Sequence, residues 1–165
     1  MKTRTWLLAA GLTLAPLQPL GAQTRFLTTP PAAVPDEVVE ILQAYRYQLL
    51  DYLGLPRETG SEEMRFRWLL DAGGLYDIDL AIDPGDVVVL GVCDGDCEDL
   101  DLGVYTAESE QLIGKDDKDD AFPVVQFSTA EPARFFIRVG MAKCSVDPCY
   151  FEVTVLTSEG ESLTP

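Results

Sequence analysis

From Leu75 onward apolar side chains recur at every second position, with Tyr76, Ile78, Leu80 and Ile82 alternating against Asp77, Asp79 and Asp83. A period of two places successive side chains on opposite faces, which a half-buried strand can satisfy and a helix cannot. Val87 to Val92 is almost wholly apolar, as a strand covered on both faces requires. Leu100, Leu102 and Val104 alternate again, followed by Leu112 with Ile113, Val125 with Phe127, and Phe135, Ile137 and Val139 against Arg134 and Arg138. Phe151, Val153 and Val155 come last, set against Glu152 and Thr154. Asp83-Pro84-Gly85-Asp86 holds proline and glycine in the order of a type II turn. Seven short strands with no helix signal between them predict a mainly β fold. The expectation is an antiparallel jelly-roll-like β-sandwich over residues 75–157, with residues 158–165 as a C-terminal tail.

Upstream the period changes. Pro35-Asp36-Glu37 opens a helix, with proline suited to its first turn and two acids against the positive end of the helix dipole. Val38, Leu42, Tyr45, Leu49 and Leu53 follow at helical spacing, one face of an N-terminal amphipathic α-helix ending near Gly54 and Pro56. This stripe has to be buried, either on the β-domain or against a partner. From Arg57 to Gly74 the pattern is mixed: Ser61-Glu62-Glu63 could cap a short helix through Leu70, whereas Phe66, Trp68 and Leu70 alternate as in a strand. Residues 35–74 are therefore read as a helical and mixed segment.

Met1-Lys2-Thr3-Arg4, the apolar run Trp6 to Leu14 and the small residues Gly21-Ala22 read as a signal peptide over residues 1–22, cleaved ahead of Gln23. Pro16 and Pro19 interrupt the run, which is too short to span a bilayer, so no membrane span is expected. Residues 23–34 carry Thr28-Thr29-Pro30-Pro31 and no periodicity, as an extended tether does. The chain is expected to be exported, to the periplasm or the exterior. Its formal charge of -16 argues against nucleic acid and anionic lipid, and leaves basic surfaces or cations as the compatible partners; the competing reading is that the acid keeps an exported protein soluble.

No histidine occurs in the sequence, which removes the usual general base near neutral pH and the commonest metal ligand. Nucleophilic triads built on histidine are excluded, and no catalytic residue is assigned. Four cysteines allow three pairings. Proximity favours Cys93 with Cys97 and Cys144 with Cys149, each closing a small loop; Cys97 with Cys144 is the long-range alternative. The first pair encloses Asp94-Gly95-Asp96, and acid continues through Glu98, Asp99 and Asp101. Alternate oxygens in a loop suit a hard cation, but the glycine and the closing bidentate acid of an EF-hand are missing. The calcium expectation is a different site, formed by Asp94, Asp96, Asp99 and Asp101 and completed by Asp116 or Asp120. Lys115 and Lys118 oppose it, and the competing reading is a solvated acidic rim.

Gly91 to Leu102, the acidic turn ending in Asp120 before Pro123-Val124-Val125, and Phe135 to Met141 leading to Cys144 and Cys149-Tyr150 resemble bacterial pre-peptidase C-terminal domains. The resemblance implies a non-catalytic β-sandwich of secreted proteins, binding an extracellular or periplasmic protein or matrix, with calcium bound in some relatives. No peptidase-sized segment precedes it here. The alternative expectation is a regulatory partner, an inhibitor or chaperone of a secreted enzyme, docking through the helix from Asp36 to Leu53.

Overall fold

A computed structural model describes residues 33–57 and 63–158. The segment read as a signal peptide, nearly all of the expected tether and the expected tail beyond Ser158 fall outside them. The elements run α1 (Asp36–Leu53), β1 (Glu63–Leu70), β2 (Gly74–Ile82), β3 (Gly85–Cys93), β4 (Cys97–Thr106), β5 (Leu112–Asp116), β6 (Val124–Thr129), β7 (Ala133–Cys144) and β8 (Cys149–Ser158). They form two antiparallel sheets of four strands, in the orders β1-β8-β3-β6 and β2-β7-β4-β5. Ile78, Leu80 and Ile82 of β2, Leu100, Leu102 and Val104 of β4 and Ile137, Val139 and Met141 of β7 face Val87, Val89, Val125, Phe151, Val153 and Val155 of the other sheet in one core. In β2, β4, β7 and β8 the alternation read from the sequence is thus the division between core and outer face, whereas Leu112 and Ile113 of edge strand β5 are exposed.

Eight strands stand where seven were expected. The additional one is β1, inside the segment read as mixed. Its Phe66, Trp68 and Leu70 lie opposite Val153, Phe151 and Cys149 of β8, so the alternating option holds and the sandwich begins at Glu63, ahead of the expected boundary at residue 75. Pairing with a distant strand settles a segment whose local signal was ambiguous. Ser158, assigned to the tail, pairs with Asp86. The expected type II turn is absent: Gly85 has φ 154° and already pairs with Thr129 as the first residue of β3.

Helix α1 starts after Pro35, whose carbonyl accepts from the amides of Val38 and Val39 at 3.0 Å. It stops at Gly54, which takes a left-handed conformation (φ 69°) and donates to Asp51 O, while Leu55 N–H reaches back to Leu50 O at 2.9 Å. This is a glycine C-cap with its hydrophobic anchor, for Leu55 is buried. The helix lies on the outer face of the first sheet, where Leu42, Leu49 and Leu50 pack with Val88, Leu90, Val92 and Leu156. Val38, Tyr45 and Leu53 complete the contact. The stripe expected either on the β-domain or on a partner is therefore covered by this chain, and docking through that face of the helix is corrected: Leu42 is 0% exposed.

Candidate binding surface

Helix α1 makes the two sheets unequal. The strand run Val87 to Val92 is buried on both sides because the core takes one face and the helix the other. The helix brings Arg46 with it, 2% exposed, set between Glu152 and Glu63. Arg46 Nε lies 3.2 Å from Glu152 Oε1, and Arg67 of β1 pairs with the other carboxylate oxygen. Thr154 Oγ1 donates to Glu152 at 3.3 Å. Alternation had set Glu152 and Thr154 against the core residues of β8, and they do point away from the core. Both are nonetheless fully buried, since the outer face there is roofed by the helix. Arg46 carries no signal in the sequence beyond its place beside Tyr45, on the edge of the buried stripe.

The four cysteines form the two local bridges expected, with Cα atoms 5.8 Å apart for Cys93–Cys97 and 6.1 Å apart for Cys144–Cys149. Each closes a corner where the chain passes between sheets, β3 to β4 and β7 to β8. Cys97 and Cys144 are cross-strand partners, so both corners sit at one end of the sandwich. The acids of the first corner help to hold the second. Asp94 accepts from Tyr150 N–H at 3.0 Å, and the Asp96 carbonyl accepts from Ser145 N–H and Oγ at 2.7 and 2.9 Å. Burial pushes the Asp94 carboxyl above its ordinary pKa, opposed by amide hydrogen bonds from Tyr150, Asp96 and Cys97.

The other acids singled out for calcium are distributed differently. Burial raises Asp99, and repulsion from Asp119 and Asp120 adds to it. Burial likewise raises Asp101, with Asp99 and Asp117 next in effect. The β5–β6 loop has thus folded beside Asp99 and Asp101, as the calcium reading required. Asp116, however, accepts from Val124 N–H and pairs with Lys118, both at 3.1 Å, while Asp120 accepts from Phe122 N–H at 2.9 Å. Lys115 pairs with Asp117. The Asp94 carboxylate is engaged at the disulfide corner, where Asp96 contributes its backbone carbonyl. Among the described residues no group of three or more His, Cys, Asp or Glu side chains converges to hold a metal ion.

No described element packs over the outer face of the sheet β2-β7-β4-β5. Cross-strand partners share a face, so its composition can be taken from the register. One row is Asp79, Phe136 and Tyr105; the next is Asp77, Arg138, Gly103 and Lys115; the third is Leu75, Gly140 and Asp101. Tyr105 and Phe136 stack at 4.9 Å with planes 8° apart. Arg138 lies 5.6 and 5.4 Å from their centroids and holds Asp77 through two hydrogen bonds of 2.8 and 2.7 Å. Tyr105 leans over Gly103, where a Cβ would come within 2.8 Å of its ring. Leu75 stands out at 66% exposed. The sequence reading passed over this face, because Arg134 and Arg138 were taken only as the outward partners of core residues.

No family model matches the chain, and no curated protein matches it either. Among solved structures, it is similar to PliG of Aeromonas hydrophila, a periplasmic lysozyme inhibitor of g-type lysozyme, at 13% identity over 60% of this chain and 89% of that one, with a TM-score of 0.45. It is also similar to the Yersinia pseudotuberculosis-derived mitogen, at 8% identity over 62% and 92%, TM-score 0.47. The pre-peptidase C-terminal domain of a Bacillus anthracis collagenase matches at 9% identity over 58% and 88%, TM-score 0.41.

Proposed function

We propose that this chain is a non-catalytic binding module of an exported protein, and that its partner is a protein with a basic surface. The observation that carries the reading is an unbalanced acidic end. The β5–β6 loop lies against β4, with Leu100 N–H donating to Asp120 O at 3.0 Å, and Asp99 Oδ1 is buried without a hydrogen-bond partner. Burial first, then repulsion from Asp117, Asp119 and Asp120, raises the Asp99 and Asp101 pKa values against the opposing pull of Lys143 and Lys115, a strain that an approaching cation relieves. A total of 28 acidic residues against 12 basic ones gives the whole molecule the same sign. Export is supported by the cysteines: both pairs are bridged and no described cysteine is free, as suits an oxidising compartment. The jelly-roll description is supported by the path of the chain, which changes sheet at every connection except β4 to β5. Membership of the pre-peptidase C-terminal type rests on the sequence resemblance, with which two four-stranded antiparallel sheets accord. An inhibitor or chaperone role falls within the same reading, provided that the contact is made elsewhere than by the buried face of α1.

Titration calorimetry of the mature protein with an oligo-arginine peptide tests the charge argument. Binding is expected at low ionic strength and should weaken steeply as salt is added. Absence of binding at low ionic strength would remove the basis for a basic partner.

A further inference from the structure

We infer that the bare outer face of β2-β7-β4-β5 is the docking surface, and that it takes a basic protein surface with apolar side chains set between its cations. The inference rests on the basic-partner reading above and specifies where and how such a partner is held. Three observations carry it.

The first is what covers each sheet. Helix α1 roofs one sheet with its own leucines, while no described helix or strand covers the other, which carries exposed Leu75 and half-buried Tyr105 and Phe136 under the Arg138 guanidinium. The second is composition. A stacked tyrosine and phenylalanine with an arginine across them are residue types enriched at the energetic centre of protein interfaces. Beside them Leu75 and Asp101 close over the buried Gly140, each 3.4 Å from where its Cβ would stand, and Leu75 itself is left 66% exposed. A flat aromatic pair next to an exposed leucine accepts an apolar side chain; a purely ionic ligand would make no use of it.

The third is charge complementarity. On this face Asp77 is matched by Arg138 and Lys115 by Asp117. Asp79, Asp99 and Asp101 form no ion pair among the described residues: Lys143, the cross-strand neighbour of Asp99, pairs with Glu98, Lys115 near Asp101 pairs with Asp117, and Arg134, at the edge beside Ala81, is the single described cation without an ion pair. The surplus is acid around an aromatic centre, so the fitting partner places lysine or arginine around an apolar one. A second copy of this chain would set acid against acid, which the charge disfavours.

Backbone amide NMR of the isotopically labelled mature protein tests the inference with two probes: an oligo-arginine peptide, and a peptide of equal charge with leucines interleaved. The leucine-bearing peptide should bind about tenfold more tightly, since burying one side chain changes affinity by about that factor. Its perturbed amides should cluster at Leu75, Asp101, Tyr105, Phe136 and Arg138. Asp79→Asn/Asp101→Asn should weaken it about tenfold, and amide exchange of the variant reports that the fold is kept. Perturbations centred on residues 116–120 or on α1, or equal affinity for the two peptides, would overturn the docking face while leaving the basic-partner reading in place. Failure of both peptides to bind at low salt would overturn the two together, and a salt-favoured dimer perturbing the same amides would show the occupant to be a second copy.

Discussion

Replacing Arg46 by methionine should destabilise the protein out of proportion to the atoms removed. The arginine is 2% exposed and its partner Glu152 is 0% exposed, so the substitution leaves a carboxylate buried under the helix with Arg67 as its remaining cation. Stranding one member of a buried ion pair costs about 3–5 kcal/mol. Arg67, with 29% of its side chain exposed, stays in place, which puts the loss near the lower end, about 3 kcal/mol. Adding Glu152→Gln removes the stranded charge, and the double variant should recover to within about 1 kcal/mol of the parent. Urea unfolding of the parent, both single variants and the double variant completes the cycle, with slopes compared to check that each unfolds in the same way. A loss below about 1 kcal/mol for Arg46→Met, or a double variant as unstable as the sum of the singles, would refute the argument that this pair seats α1 through mutual charge compensation.

Further outcomes follow from the acidic end and the disulfide corner. Asp99→Asn should raise Tm at neutral pH: its native pKa lies above the unfolded value, so the native carboxylate costs stability above that raised pKa. As pH falls through the raised pKa the native state takes up its proton, the penalty disappears and the two melting curves converge; a gain undiminished below the ordinary carboxylate range would contradict this. Cys144→Ser/Cys149→Ser should cost about 2 kcal/mol in urea without loss of the fold, because the closed loop is short; an unfolded variant would show that the bridge does more than close a corner. Calcium at millimolar concentration should leave the calorimetric Tm unchanged, since three of the six acids named for it, Asp94, Asp116 and Asp120, are engaged by backbone amides or Lys118 and no three described acids converge on one point. A saturable rise lost in Asp99→Asn would restore the cation site.

The core faces of β2, β4, β7 and β8 could be taken from the sequence, because alternation between apolar and polar residues is a local consequence of strand geometry, whereas Leu112 and Ile113 of β5 are both exposed. The helix, its stripe and the two bridges were legible for the same reason: each rests on residues near one another in the chain. What escaped depends on distant partners. Strand β1 was ambiguous until paired with β8, and Glu152 read as an outward polar residue until α1 closed over it. The aromatic and charged rows across β2, β7 and β4 join residues about sixty positions and more than thirty positions apart, visible only through the register. The acidic loops lie side by side, and the engagement of Asp94, Asp116 and Asp120 by backbone amides could not be read from composition.

The central claim is that one sheet is closed by the helix and the other is open to a basic partner. Hydroxyl-radical footprinting of the mature protein, free and saturated with the leucine-bearing arginine peptide, compares the two faces in a single measurement. Protection is expected at Leu75, Tyr105 and Phe136, with Tyr52 and Ile41 on the exposed side of α1 as reactive as in the free protein. Protection of Tyr52 and Ile41 with no change at Tyr105 and Phe136 would contradict the account.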